Sequence, residues 1–306
     1  MESLSDAASI SASPTPDGDV GAHAEPAPAP FALIAPLRPM TPLIYASPHS
    51  GRRYPADFLA LSRAGMMSLR RSEDAYVDEI FSGAVTHSAP LLSATVARAY
   101  VDLNRAVDEL DPDMFHERVS AAPGAFASAR LQAGLGAIPR IAGDGQAIYR
   151  DKLTMEDAQL RIATIHRPYH AMLRSLIEDT RARCGCAVLI DCHSMPSAAR
   201  GPNAPDIVLG DRFGASCHPS VTSLVEATLR RLGYKVARNA PFAGGHTTQT
   251  YGRPGRRVHA LQIELCRSLY LDEASLSRTS GFLRVRTDMG RLAAALAAAE
   301  LHKSLA

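Results

Sequence analysis

Two histidines in this chain each stand at the tip of an apolar run. His193 closes Ala187-Val188-Leu189-Ile190-Asp191-Cys192-His193-Ser194, and His49 follows Leu43-Ile44-Tyr45-Ala46 inside the turn-forming stretch Ser47 to Pro55. In open α/β sheets ligands bind beyond the carboxyl ends of the strands, so both imidazoles fall where chemistry is usually done. With an acid from the pair Glu73-Asp74, the set meets the needs of a catalytic zinc site: about three protein ligands from His, Asp or Glu, with one position left for water. Each member also has a plainer role. His193 would cap a strand through backbone hydrogen bonds, and acids in the first turn of a helix are common for dipole reasons alone.

Glu264 lies within Leu261-Gln262-Ile263-Glu264-Leu265. A carboxylate buried in such a run needs a partner or a raised pKa, the state of a general base. A second cluster joins Arg98 to Asp102-Leu103-Asn104-Arg105. Its guanidinium groups would hold a substrate carboxylate through paired hydrogen bonds, or polarise a carbonyl whose oxygen becomes negative. The alternative for Arg105 is a surface pair with Asp102 or Asp108.

The elements that must position these groups follow from the spacing of apolar residues. The runs 43–46, 187–190, 206–209 and 258–265 read as buried strands, and 91–96 with 99–101 as further strands. Apolar residues recur at helical spacing from Thr154 to Arg183, from Ser220 to Leu232 and from Ser277 to Ala306, and a helix is expected after Ser72-Glu73-Asp74. Strands alternating with helices predict one α/β/α sandwich with a parallel or mixed sheet. Residues 1–30, rich in Ala, Pro, Ser and Asp, read as a disordered tail before a domain spanning 31–306. Residues 106–149 break into Ala, Gly and Pro without sustained periodicity, as expected of a functional excursion such as a lid.

Composition excludes several partners. The 33 basic and 31 acidic side chains leave a formal charge of +2, which gives no electrostatic case for nucleic acid or an anionic membrane. No apolar run approaches the roughly 20 residues that span a bilayer, and the N-terminus lacks a secretory signal. Five cysteines without a zinc-finger spacing suit reduced thiols in the cytoplasm. A small-molecule partner is the expectation; the oligomeric state stays open.

Taken in order, these residues carry a resemblance. The chain resembles the N-formylglutamate amidohydrolases, which belong with the aspartoacylases and zinc carboxypeptidases in a wider group of zinc-dependent amide hydrolases. The likeness runs from about Ser47 to Glu273. It includes the His-Ser-Gly run from His49 to Pro55, Asp74-x-x-x-Asp78, Arg98 before Asp102-Leu103-Asn104-Arg105, and Asp191-x-His193-Ser194. Gly210-Asp211, Gly214-x-Ser216-Cys217, Gly244-Gly245-His246, Tyr251-Gly252 and His259 to Glu264 continue it.

The resemblance implies a three-layer, zinc-carboxypeptidase-like sandwich and a Zn2+ cofactor. The wider group's first motif is His-x-x-Glu, but Arg52 stands at the acidic position here. The carboxylate ligand is therefore expected from Asp74, which matches the formylglutamate-type pattern, with Glu73 as the alternative. The implied metal ligands are His49, Asp74 and His193. Glu264 looks like the catalytic glutamate, while Arg98, Asn104 and Arg105 look like the carbonyl-polarising and carboxylate-binding residues. Arg52 and Arg53, beside His49, are further candidates for binding an N-acyl amino acid with an acidic side chain.

Overall fold

The computed structural model describes residues 29–38, 41–118, 129–197 and 204–305. Its centre is a seven-stranded mixed sheet formed by β1 (Phe31–Ile34), β2 (Leu43–Ser47), β3 (Leu91–Ala94), β4 (Ala187–Met195), β5 (Ile207–Gly210), β6 (Val236–Arg238) and β7 (Val258–Cys266). The strand order is β1-β3-β2-β4-β7-β5-β6. Strands β3, β2, β4 and β7 run parallel, whereas β1 is antiparallel to β3 and β5 antiparallel to β7. Helices cover both faces, so the expected three-layer sandwich is what forms.

Side-chain alternation in β4 and β7 shows why the sequence builds a site here. Val188, Ile190 and Cys192 share one apolar cluster with Leu261, Ile263 and Leu265. The helices Pro219–Arg231 and Gly281–Ala298 pack onto that face through Val221, Val225, Val285 and Met289. The opposite face is apolar only at its lower end, where Ala187, Leu189, Val258 and Ala260 meet Tyr169, Leu173 and Ile177 of the helix Arg167–Cys184. Further along, the period of two puts Asp191, His193, Gln262 and Glu264 on that same face. An otherwise continuous core therefore opens into polar groups at the strand ends.

Several sequence expectations change in detail. Residues 99–101 turn instead of forming a strand, with Tyr100 N–H donating to the Ala97 carbonyl at 3.0 Å. That turn puts Arg98 within reach of Asp102, at 2.9 Å. The long helical stretch is the helix Met155–Arg161, a π-type turn at Ile162–His166 and the helix Arg167–Cys184. At the C-terminus the helix starts only at Gly281, because Ser277–Arg278 pairs as a strand with Leu271–Asp272; it ends at Ala298, before Glu300 in the left-handed conformation. The predicted tail falls almost wholly outside the described residues, but the Ala29 and Pro30 carbonyls accept hydrogen bonds from Thr95. Within the 106–149 excursion, residues 119–128 also lie outside the description. Its described parts are irregular yet anchored, with Met114, Phe115, Ile138 and Ile148 in the core.

Arg161 ties that excursion to the helical layer. Its fully buried guanidinium pairs with Asp157 at 2.6 Å, donates to the Tyr149 hydroxyl at 2.7 Å and to the Tyr100 carbonyl at 3.2 Å, and lies over the Tyr100 ring. Breaking a buried ion pair by removing one partner costs about 3–5 kcal/mol. Arg161→Ala is accordingly expected to lower the thermal unfolding midpoint by several degrees; an unchanged midpoint would show that the network contributes little.

Candidate active site

The tips of β2, β4 and β7 line a cavity of about 410 Å3. His49 and Asp74 are locked together before any ligand is considered: the Asp74 N–H donates to the His49 carbonyl at 2.9 Å, and the Ser50 hydroxyl donates to the Asp74 carbonyl at 3.2 Å. Gly51 is required in this turn because a Cβ there would lie 1.9 Å from the Val96 carbonyl oxygen. Arg52 and Arg53 N–H groups both donate to the Thr95 carbonyl, which fixes the turn against the end of the neighbouring strand.

Three ligand atoms converge. Asp74 Oδ2 lies 2.9 Å from His193 Nδ1 and 3.3 Å from His49 Nδ1, and one ligand atom from each residue falls within 4.8 Å of the others. The carboxylate reaches them with one oxygen only, since Oδ1 accepts from the Ser194 hydroxyl at 3.1 Å and Arg267 Nη2 at 3.3 Å. The far ring nitrogens are also held. His49 Nε2 contacts Asp102 Oδ1 at 2.8 Å, and His193 Nε2 lies 3.1 Å from Asp191 Oδ1 and 3.2 Å from Asn104 Nδ2.

This donor set fits a zinc ion. Ligands bonded at about 2.0–2.1 Å in a tetrahedron stand roughly 3.3–3.4 Å apart; the two imidazoles lie 2.9 and 3.3 Å from Asp74 Oδ2, and all three ligand atoms fall within 4.8 Å of one another. A carboxylate behind the ring of a ligating histidine is the usual support for such a site, and Asp102 supplies it. Glu73, the alternative ligand, is buried but turned away: its carboxylate accepts from the Tyr54 hydroxyl at 2.6 Å and pairs with Arg70 at 3.4 Å.

The electrostatics point to the same place. Burial works against the Asp74 charge, yet hydrogen bonds from His193 and His49 hold its pKa well below the usual carboxylate range. Burial also opposes the His193 cation, but Asp191 and Asp74 outweigh it and raise that imidazole well above its ordinary value. Carboxylates here demand positive charge, from protons or from a metal.

Glu264 pairs in register with His193 across β4 and β7. Its Oε1 accepts from Gln262 Nε2 at 2.8 Å. Burial, reinforced by Asp74 and Asp191 against His193 and Arg98, pushes its pKa up to about 7. A neighbouring dication would draw that value down.

Arg98 reaches the cavity rim while its Nε holds Asp102 Oδ2. Arg105 also lines the cavity, with Nε donating to the Leu135 carbonyl at 2.8 Å and Nη1 to the Asn104 carbonyl at 2.7 Å. Burial lowers its pKa. Two histidines brace the segment between them: His166 Nε2 meets the Arg105 carbonyl at 2.9 Å and His170 Nε2 the Leu103 carbonyl at 2.8 Å. Asn104 is pinned from the other side by the Thr247 N–H at 2.8 Å. Gly245 allows that approach, since a Cβ there would come within 2.5 Å of the Asn104 amide.

Arg52 and Arg53 are not among the cavity-lining residues. The Arg52 guanidinium pairs with Asp78 at 2.6 Å and Glu79 at 3.2 Å and lies over the Tyr76 ring. Sequence reasoning missed Arg267, whose Nη2 and Nη1 donate to the Glu73 and Arg71 carbonyls at 2.6 and 3.0 Å. It also gave Asp102 no part in holding His49, and it passed over Arg130 on the cavity wall. A basic residue directly after the strand that carries Glu264 was the available sign for Arg267.

The chain is similar to known proteins over most of its length. The model of the N-formylglutamate amidohydrolase family matches residues 41–271. An N-formylglutamate deformylase of Pseudomonas aeruginosa is 31% identical over 245 residues, which cover 77% of this chain and 84% of that protein. One from Pseudomonas putida is 30% identical over 242 residues, covering 76% and 82%. A crystal structure of an N-formylglutamate amidohydrolase from Ralstonia eutropha JMP134 superposes with a TM-score of 0.81 at 36% identity, covering 88% of this chain and 98% of that one. Among the described residues, no helix is long and apolar enough to cross a membrane.

Proposed function

This chain belongs to the N-formylglutamate amidohydrolase family, and from that membership we propose that it hydrolyses N-formyl-L-glutamate to formate and L-glutamate with the help of zinc. The observation that carries the reading is the pairing of Glu264 with His193 in register on the wall of an arginine-lined cavity. It sets a carboxylate of raised pKa beside a set of nitrogen and oxygen donors suited to a metal.

His49, Asp74 and His193 would hold the ion. Zinc bound there would polarise the formyl carbonyl and acidify the attacking water. Glu264 accepts a proton from that water as its oxygen bonds to the formyl carbon. Arg98, or Arg105, offsets the negative charge that collects on the carbonyl oxygen. As the carbon–nitrogen bond breaks, Glu264 returns the proton to the amine nitrogen. Asn104 and Arg105 bind the α-carboxylate, the arginine retaining part of its guanidinium beyond the two carbonyls that orient it. The cytoplasm is the setting we propose for the reaction, in keeping with five cysteines without a disulfide-framework spacing.

The base must be ionised to work, so the rate is expected to rise with pH through the acid range and level off at or below about 7. The pH dependence of kcat/KM checks the sign: a rate that falls between pH 5 and 7 would exclude a carboxylate base. Screening N-formyl, N-acetyl and N-succinyl amino acids tests the substrate. Turnover of N-formylglutamate well ahead of the others supports the assignment. Preference for another acyl group would keep the chemistry and change the substrate, and no turnover with zinc-loaded protein would leave a binding protein for an acidic metabolite.

A further inference from the structure

N-formylglutamate carries two carboxylates, and the proposed mechanism uses one cation for the first. Five arginines line the cavity: Arg71, Arg98, Arg105, Arg130 and Arg267. Three of them are already matched to carboxylates. Arg71 pairs with Asp144 at 3.1 Å, Arg98 with Asp102 at 2.9 Å, and Arg267 with Asp74 at 3.3 Å. Arg105 gives its hydrogen bonds to the Leu135 and Asn104 carbonyls.

Arg130 differs from all of these. Among the described residues no carboxylate pairs with it, and the adjoining residues 119–128 contain neither Asp nor Glu. It sits on the short helix Ala129–Gln132, with an exposed side chain on the cavity wall. Its backbone is nonetheless fixed relative to Arg105. The Leu135 N–H donates to the Arg130 carbonyl at 2.9 Å, and the Leu135 carbonyl accepts from Arg105 Nε at 2.8 Å. One residue thus joins the two arginines, and the Arg130 charge bears on Arg105, which Asp102 and Glu109 already offset in part. Arg130 therefore adds to the cavity wall a positive charge that no described carboxylate pairs, and an anion beside it would be favoured.

We propose that Arg130 binds the side-chain carboxylate of the substrate and so selects acidic N-formyl amino acids, while Arg105 holds the α-carboxylate. The proposal rests on the amidohydrolase reading above and assigns its acidic-side-chain specificity to one residue. Arg52 is committed to Asp78 and Glu79 outside the cavity.

The test compares N-formyl-L-glutamate with N-formyl-L-glutamine, which has the same shape without the charge, on wild-type, Arg130→Ala and Arg130→Lys proteins. Loss of a charge-assisted contact of this kind is expected to lower kcat/KM for the glutamate substrate by roughly thirty- to a hundredfold, mainly through KM. The glutamine substrate should change by less than about threefold, so the preference collapses in Arg130→Ala and returns in part in Arg130→Lys. A preserved preference in Arg130→Ala, or equal loss on both substrates, would overturn the proposal. Calorimetric binding of L-glutamate against L-glutamine separates the two readings. If the wild type hydrolyses neither N-formyl compound, the amidohydrolase reading fails; an Arg130-dependent preference for glutamate in binding would then still support the assignment, and its absence would overturn that as well.

Discussion

His193→Ala and His49→Ala are each expected to strip the protein of zinc and lower turnover on the order of a thousandfold or more. The imidazoles approach one carboxylate oxygen at 2.9 and 3.3 Å, so each variant removes one of three ligands from a site that needs about three. Without the metal the attacking water keeps its ordinary pKa, far above neutrality. The fold should survive, because Asp74 retains Ser194, Arg267 and one imidazole. Protein purified without chelator should carry close to one zinc per chain, and metal analysis alongside thermal unfolding separates loss of the ion from loss of the fold. Full zinc occupancy in both variants would end the ligand assignment.

Glu264→Gln separates catalysis from architecture. The amide keeps the shape and can still meet Gln262, but it cannot accept a proton. If Glu264 is the base, kcat falls by roughly a hundredfold or more, the scale of general-base catalysis, with zinc and folding retained. If the carboxylate instead serves as a structural counter-charge to Arg98 or His193, the variant loses about 3–5 kcal/mol of stability. The raised pKa favours the first outcome, since a carboxylate stabilised by its partners would be pushed down. A folded, zinc-loaded and fully active variant would eliminate the catalytic role.

The legible parts of this chain were those in which local pattern and burial agree. Strands β4 and β7 stand out as apolar runs, and their alternation already separates Asp191, His193, Gln262 and Glu264 from the core-facing residues. What could not be read was pairing across the chain. Nothing local shows that Asp102 meets an imidazole 53 positions earlier in the sequence, or that Arg267 reaches back to Asp74. Arg52 misled because it adjoins His49, yet successive residues in a turn point in different directions and its charge was claimed by Asp78 and Glu79. Locally, Glu73 and Asp74 suit the first turn of a helix as well as they suit a metal. Tyr76, in the left-handed conformation, delays the helix to Val77–Ile80 and leaves Asp74 outside its first turn. Arg130 was hidden because the excursion has no periodicity from which to infer a facing.

The most direct test is release of formate and L-glutamate from N-formyl-L-glutamate by the purified full-length protein, measured before chelation, after it, and after zinc is returned. Equal amounts of the two products are expected, with loss of the reaction on chelation and recovery with about one equivalent of zinc. A zinc-loaded, folded protein that releases neither product would contradict this expectation, as would full activity in protein shown to contain no metal.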